Sequence, residues 1–189
     1  MAIMTATVKT RPFTIIEFHK MAETGILTKN DRVELIQGEI IPMAPIGPFH
    51  AACVNTLTRM LIQRVPPDVI VHIQNPLRLD THTEVYPDLA LLRPRLDQYK
   101  NTIPEPADVL LLIEVADTTL YRDQNEKLPH YAQVGIPEVW LIDVTNKTVI
   151  VHREPSGQQY KHVSSSTHGT HLTSSSLSNF TIAVNEIFF

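Results

Sequence analysis

Pro87-Asp88-Leu-Ala-Leu-Leu92, Asp108-Val-Leu-Leu-Leu-Ile-Glu114-Val-Ala116, Asp123-Gln-Asn-Glu-Lys127 and Glu138-Val-Trp-Leu-Ile-Asp143 follow one another through the middle of the chain. Short apolar runs bounded by turn formers read as buried strands, and the span before the last run reads as a helix. The order is strand, strand, helix, strand. The part from 108 to 143 predicts a parallel crossover, and with it an α/β fold with a central mixed sheet flanked by helices. A nucleotide-binding crossover is excluded, because the connection from Ala116 to Arg122 contains no glycine to cradle a pyrophosphate. Neither a Gly-x-x-x-x-Gly-Lys loop nor a Gly-x-Ser-x-Gly elbow occurs.

Working outward, Thr14-Ile-Ile-Glu17 has the form of a capping box opening a helix that ends at Gly25. Val33–Ile36 and Glu39–Ile41 flank Gln37-Gly38, which suits a tight hairpin turn. Pro42, Pro45 and Pro48 force an extended passage into a second helix over 49–64. There His50, Val54, Leu57 and Leu61 recur at helical spacing, with His50 at the N-terminal end of the buried face. Strands are expected at 69–73 and 77–79, a polar turn at 81–84 and a surface loop at 96–106. A helix over 124–134, N-capped by Asp123 and ended by Gly135, conflicts locally with Pro129, which removes an amide from its interior. After Asp143 come a strand at 147–152, a turn at 154–157 and further antiparallel strands that interleave with serine tracts and end near Phe180. Residues 1–11 read as an N-terminal arm and 12–189 as a single domain.

The 189 residues carry a net charge of −4 and are 43% hydrophobic, enough for a substantial core. A globally basic nucleic-acid binder is excluded, so affinity for phosphate must come from a local site or a metal ion. The single cysteine, Cys53, excludes an intramolecular disulfide and any Cys–Cys metal pair, as expected of a reducing cytoplasm. No signal peptide and no apolar run of membrane-spanning length is present, so no membrane partner is expected.

The informative residues are carboxylates. Asp88 begins a strand and Glu114 ends a strongly apolar one, so neighbouring strands would bring them to the same sheet edge. Like charges so placed repel unless a cation lies between them. A hard ion with oxygen ligands, Mg²⁺ or Mn²⁺, resolves this and can activate a water against a phosphodiester. A lysine nearby would orient that water and offset developing charge.

Pro87-Asp88 followed 26 residues later by Glu114-Val115-Ala116 resembles the PD-(D/E)XK nuclease superfamily. More closely, an ordered series resembles the Uma-type restriction endonucleases of bacteria. The series comprises Glu34-Leu-Ile-Gln-Gly38-Glu39, His50, Pro87-Asp88, Ile113 to Thr119, Asp123 with Lys127, Tyr131 to Gly135, and Glu138 to Asp143. The resemblance covers roughly residues 12–189 and implies a restriction-endonuclease-like domain. It also implies a Mg²⁺- or Mn²⁺-dependent endonuclease that cuts nucleic acid, DNA above all, and leaves a 5′-phosphate. It implies metal ligands at Asp88, Glu114 and Val115, with Glu34 and His50 as further catalytic residues. The superfamily lysine position is Ala116 here; by resemblance Lys127, on the following helix, takes that role. Gln37 stands where the family often has aspartate and reads as a turn substitution. The rival reading is a nucleic-acid-binding or regulatory protein that keeps the scaffold without cutting, favoured by Ala116 and the acidic charge. A homodimer is compatible with edge strands near the C-terminus. Gln74 and Tyr131 are placed to line the site but read first as core packing or backbone hydrogen-bonding residues, and His162, His168 and His171 as loop polarity rather than a metal patch.

Overall fold

The computed structural model describes residues 11–188. Apart from Arg11, the expected N-terminal arm lies outside the described residues. The Thr14 capping box forms as expected: the Thr14 oxygen accepts the Glu17 amide at 3.2 Å and the Glu17 carboxylate accepts the Thr14 amide at 2.9 Å. Helix α1 (Ile15–Glu23) follows and buries Ile15 and Phe18. β1 (Val33–Ile36) and β2 (Glu39–Pro42) form the hairpin, with Gln37 at φ 51° and Gly38 at φ 79°. Positive φ at both central residues is what a two-residue hairpin with right-handed strand twist requires. A Cβ at Gly38 would lie 2.3 Å from the Pro12 Cβ, so this glycine serves close approach as well as the turn.

Helix α2 (Pro48–Arg64) buries Val54, Leu57, Met60 and Leu61, and Pro48 opens it without loss, since the first helical amide has no intrahelical partner. Then come β3 (Ile70–Ile73), β4 (Leu77–Arg78), β5 (Glu84–Val85), β6 (Leu89–Leu92) and β7 (Val109–Ala116). Next are α3 (Leu120–Arg122), a π-helical turn (Asp123–Lys127), α4 (Leu128–Gln133) and β8 (Glu138–Asp143). The chain closes with β9 (Thr148–Ser156), β10 (Gln159–Ser166), β11 (His171–Thr173) and β12 (Thr181–Ala183).

Six strands form the central mixed sheet in the order β10-β9-β8-β7-β6-β3. β7 and β8 are parallel and the remaining pairs antiparallel. A second sheet, β2-β1-β5-β4, and the β11-β12 pair complete the strands. All eight residues of β7 are buried, because both sheet faces are covered. Leu57 and Leu61 of α2 pack with Leu111, Ile113 and Trp140 on one face; Tyr131 and Ala132 of α4 pack with Leu112 and Val139 on the other. Among the described residues no helix is long and apolar enough to cross a membrane.

Three local expectations are corrected. The helix after β7 begins at Leu120, so Asp123 lies inside it rather than capping it, and Lys127 is in its middle rather than its first turn. The Pro129 conflict is relieved by the π turn, closed by the Leu128 amide on the Asp123 carbonyl, which widens the backbone just ahead of the proline ring. The last hairpin turns at Gly157-Gln158, with Glu154 and Pro155 kept within β9. Glu84, expected in a polar turn, opens β5 and hydrogen-bonds His19 of α1 at 2.9 Å.

Candidate active site

The β6–β7 ladder runs to Leu89 and Ile113 and no further, since Pro87 has no amide to continue it. Beyond that point a side chain replaces the backbone partner: the Val115 amide donates to Asp88 Oδ2 at 2.9 Å. Asp88 and Glu114 therefore leave the same end of adjacent strands. Asp88 also accepts from the Gln74 side chain at 3.1 Å, while Gln74 stands at φ 49° and donates its own amide to the Asp88 carbonyl. His50 Nε2 lies 3.0 Å from Asp88, bringing the start of α2 to the site. That contact, ahead of the opposing effect of burial, raises the His50 pKa, and His50 Nδ1 is buried without a hydrogen-bond partner.

Glu114 lies two residues beyond Leu112, on the face covered by α4. Its Oε1 accepts the Tyr131 hydroxyl at 2.5 Å and lies 3.4 Å from Lys127 Nζ. Lys127 makes its shorter contact, 3.0 Å, with Glu34 Oε1, which also accepts the Tyr86 amide at 2.8 Å. The ammonium is thus shared between the two carboxylates. Burial, only partly opposed by Lys127 and reinforced by Asp123, Asp88 and Glu34, pushes the Glu114 carboxyl up to about 8. Burial alone would lower the Lys127 pKa, but Glu114, Glu34 and Asp123 outweigh it and hold the amine charged. Burial also raises the pKa of Asp123, which accepts the Thr119 hydroxyl at 2.6 Å.

These groups line one cleft of about 310 Å³. Five carboxylates (Glu34, Asp88, Glu114, Asp117 and Asp123) face it, against the cations Arg32, Arg122 and Lys127. Among the described residues no three His, Cys, Asp or Glu side chains gather into an all-protein metal cage. Mg²⁺ does not need one, since it takes one or two carboxylates and keeps several waters. Hard oxygen donors and surplus negative charge fit such an ion.

The model of the Uma2 family, described as "Putative restriction endonuclease", matches residues 16–185. The chain belongs to the Uma2 family. A crystal structure from Anabaena variabilis, titled a "putative nuclease belonging to DUF820", superposes with a TM-score of 0.73 at 18% identity. That match covers 94% of this chain and 98% of the other, and the two chains share one fold. No curated protein matches.

In this Uma2 chain Asp88, Glu114, Lys127, Glu34 and His50 all come together, and Val115 joins them through its amide. Gln74 and Tyr131, read from the sequence as packing residues, contact the two central carboxylates directly. Asp123, expected as a cap, faces the cleft, as do Asp117 and Arg122. The sequence signal for Asp123 was its spacing from Lys127, four residues and so on the same helical face; Tyr131 repeats that spacing from Lys127. The three C-terminal histidines do not join the site, and His162 pairs with Glu154 at 3.4 Å.

Proposed function

We propose that this protein is a divalent-metal-dependent nuclease that hydrolyses phosphodiester bonds of nucleic acid, with DNA as the substrate. The observation that carries this reading is the convergence of Asp88 and Glu114, from adjacent strand ends, beside the Lys127 ammonium in one cleft. The family match and the fold of the Anabaena variabilis protein support it.

Asp88 and Glu114, with Val115, would hold Mg²⁺ or Mn²⁺, which when bound supplies a water of lowered pKa and charge neutralisation at the phosphate. The protein's own groups do the rest. Gln74 and the Val115 amide fix the rotamer of Asp88; Tyr131 fixes Glu114. Glu34, itself tied to the Tyr86 amide, holds Lys127 in a defined position from which the amine can orient a nucleophile and meet developing negative charge. His50, with Nδ1 unpartnered and Nε2 on Asp88, can relay a proton at the cleft wall. A homodimer acting in the cytoplasm, with one cleft for each strand of a duplex, is consistent with this reading and is checked by sedimentation.

The test is nicking of supercoiled plasmid with Mg²⁺ or Mn²⁺. Wild type should convert it to open circles, while Asp88→Asn and Lys127→Met should fall to background. Nicking that persists equally in both variants would refute the assignment. The non-cutting reading draws on Ala116 at the usual lysine position and on a Lys127 already engaged by two carboxylates. Plasmid retention in a gel with no nicking in either metal would decide for it.

A further inference from the structure

A second cavity, about 370 Å³, opens beside the acidic cleft, and Asp117 lies on the wall of both. Its volume is in the range of small-molecule sites. Phe49, Cys53, Val144, Ile187 and Phe188 line it, with Thr145, Asp117 and Lys147 as polar neighbours. Phe49 is the residue before His50 in α2, yet 71% of its surface is exposed, whereas Cys53 and Val54 on the same helix are buried. The ring adds little to the core; it stands at the mouth of the cavity. Phe188 packs partly against the core, and Ile187 is fully buried. The Thr145 hydroxyl donates to the Asp117 carbonyl at 3.3 Å and keeps its lone pairs for accepting.

Asp117 and Lys147 give the cavity wall one charge of each sign, so no net charge draws phosphate into it. Its aromatic, apolar lining suits a flat ring that carries hydrogen-bonding groups along one edge. A nucleic-acid strand alternates the two chemistries, charged phosphate and flat base, within one nucleotide. The molecule offers a cleft suited to metal and phosphate and an aromatic cavity side by side, with a shared wall.

We infer that this second cavity takes a nucleobase adjoining the phosphate held in the cleft, stacked on Phe49. The inference rests on the nuclease reading and deepens it. A base can enter such a cavity only when it is unpaired, so the substrate is a single strand or a locally opened duplex.

The test is fluorescence anisotropy on the full chain, with Ca²⁺ replacing Mg²⁺, using a labelled thymidine oligonucleotide and an abasic oligomer of equal length. Wild type should prefer the thymidine chain. Phe49→Ala should weaken that binding by roughly 5- to 150-fold, the effect of losing one base–aromatic stack, and leave the abasic oligomer unchanged. Phe49→Trp should restore affinity, and its indole emission should be quenched on binding. Phe49→Ala binding thymidine as wild type does, or losing both oligomers equally, would overturn the subsite while leaving the nuclease reading intact. Wild type that neither binds either oligomer nor nicks plasmid would end the nuclease reading, and the subsite with it.

Discussion

Metal binding should expel a proton from Glu114. Burial pushes its carboxyl up to about 8, with the nearby Lys127 ammonium only partly opposing it. Such a group is held mostly protonated at pH 7, and a ligand carboxylate must be ionised, so binding Mn²⁺ should release between about one half and one proton. Titration calorimetry in two buffers of different ionisation enthalpy reads that number directly. Apparent affinity should rise up to about tenfold per pH unit from 6 to 8 and level off above it. The sign for stability is opposite. Glu114 is raised above the unfolded value of 4.5, so its contribution is complete below about pH 4.5 and is lost as pH climbs through 8. The slope is at most about 1.4 kcal/mol per pH unit. Because the Tyr131 hydroxyl donates to Glu114, Tyr131→Phe should move the midpoint of proton release upward. Binding with no buffer dependence would refute the reasoning. So would a release that Tyr131→Phe leaves in place, since the proton would then belong to His50.

Lys127→Met leaves Glu34 and Glu114 buried without their cation and should destabilise the protein by about 3–5 kcal/mol in urea titration; a change below about 1 kcal/mol would mean the pair is solvated. Gly38→Ala combines φ 79° with a Cβ lying 2.3 Å from the Pro12 Cβ. It should lower stability by more than the ~1–3 kcal/mol of backbone strain alone, read as a fall in melting temperature. Glu138→Ala removes the acceptor shared by Trp140, Arg153, Ser174 and Ser175. Hydrogen exchange at 174–176 should accelerate strongly, with about 3 kcal/mol or more lost overall. Unchanged protection there would show that the serine segment is held by other contacts.

The crossover was legible because β7 is apolar up to Glu114, β8 is apolar between Glu138 and Asp143, and the intervening stretch ends in a clean glycine stop at Gly135 (φ 84°). Capping box, hairpin and α2 were legible for the same kind of reason, local chemistry that admits few conformations. β5 was not, because a two-residue strand has no periodicity; it exists through its partners Leu35 and Leu77. The π turn was half legible: Pro129 announced a conflict within the helix, but its resolution is a tertiary choice, a turn whose two ends, Asp123 and Lys127, both line the cleft.

The site divides along the same line. Asp88 and Glu114 could be placed at one sheet edge from strand order alone, since antiparallel neighbours bring the start of one to the end of the next. What sequence could not assign is which carboxylate Lys127 serves. Glu34 is 93 residues from Lys127 along the chain, in a hairpin whose alternation allows it to face water. The structure buries it to 2% exposure and gives it the closer contact. The amine is shared, 3.0 Å from Glu34 and 3.4 Å from Glu114, and burial outweighs its pull on the Glu114 carboxyl. Glu114 and Glu34 together hold the amine charged and in place, while burial disfavours the ionised form of Glu114 beside Asp88. On the proposed function, a divalent cation where these adjacent strands end would offset the carboxylate charge that Lys127 alone leaves uncompensated.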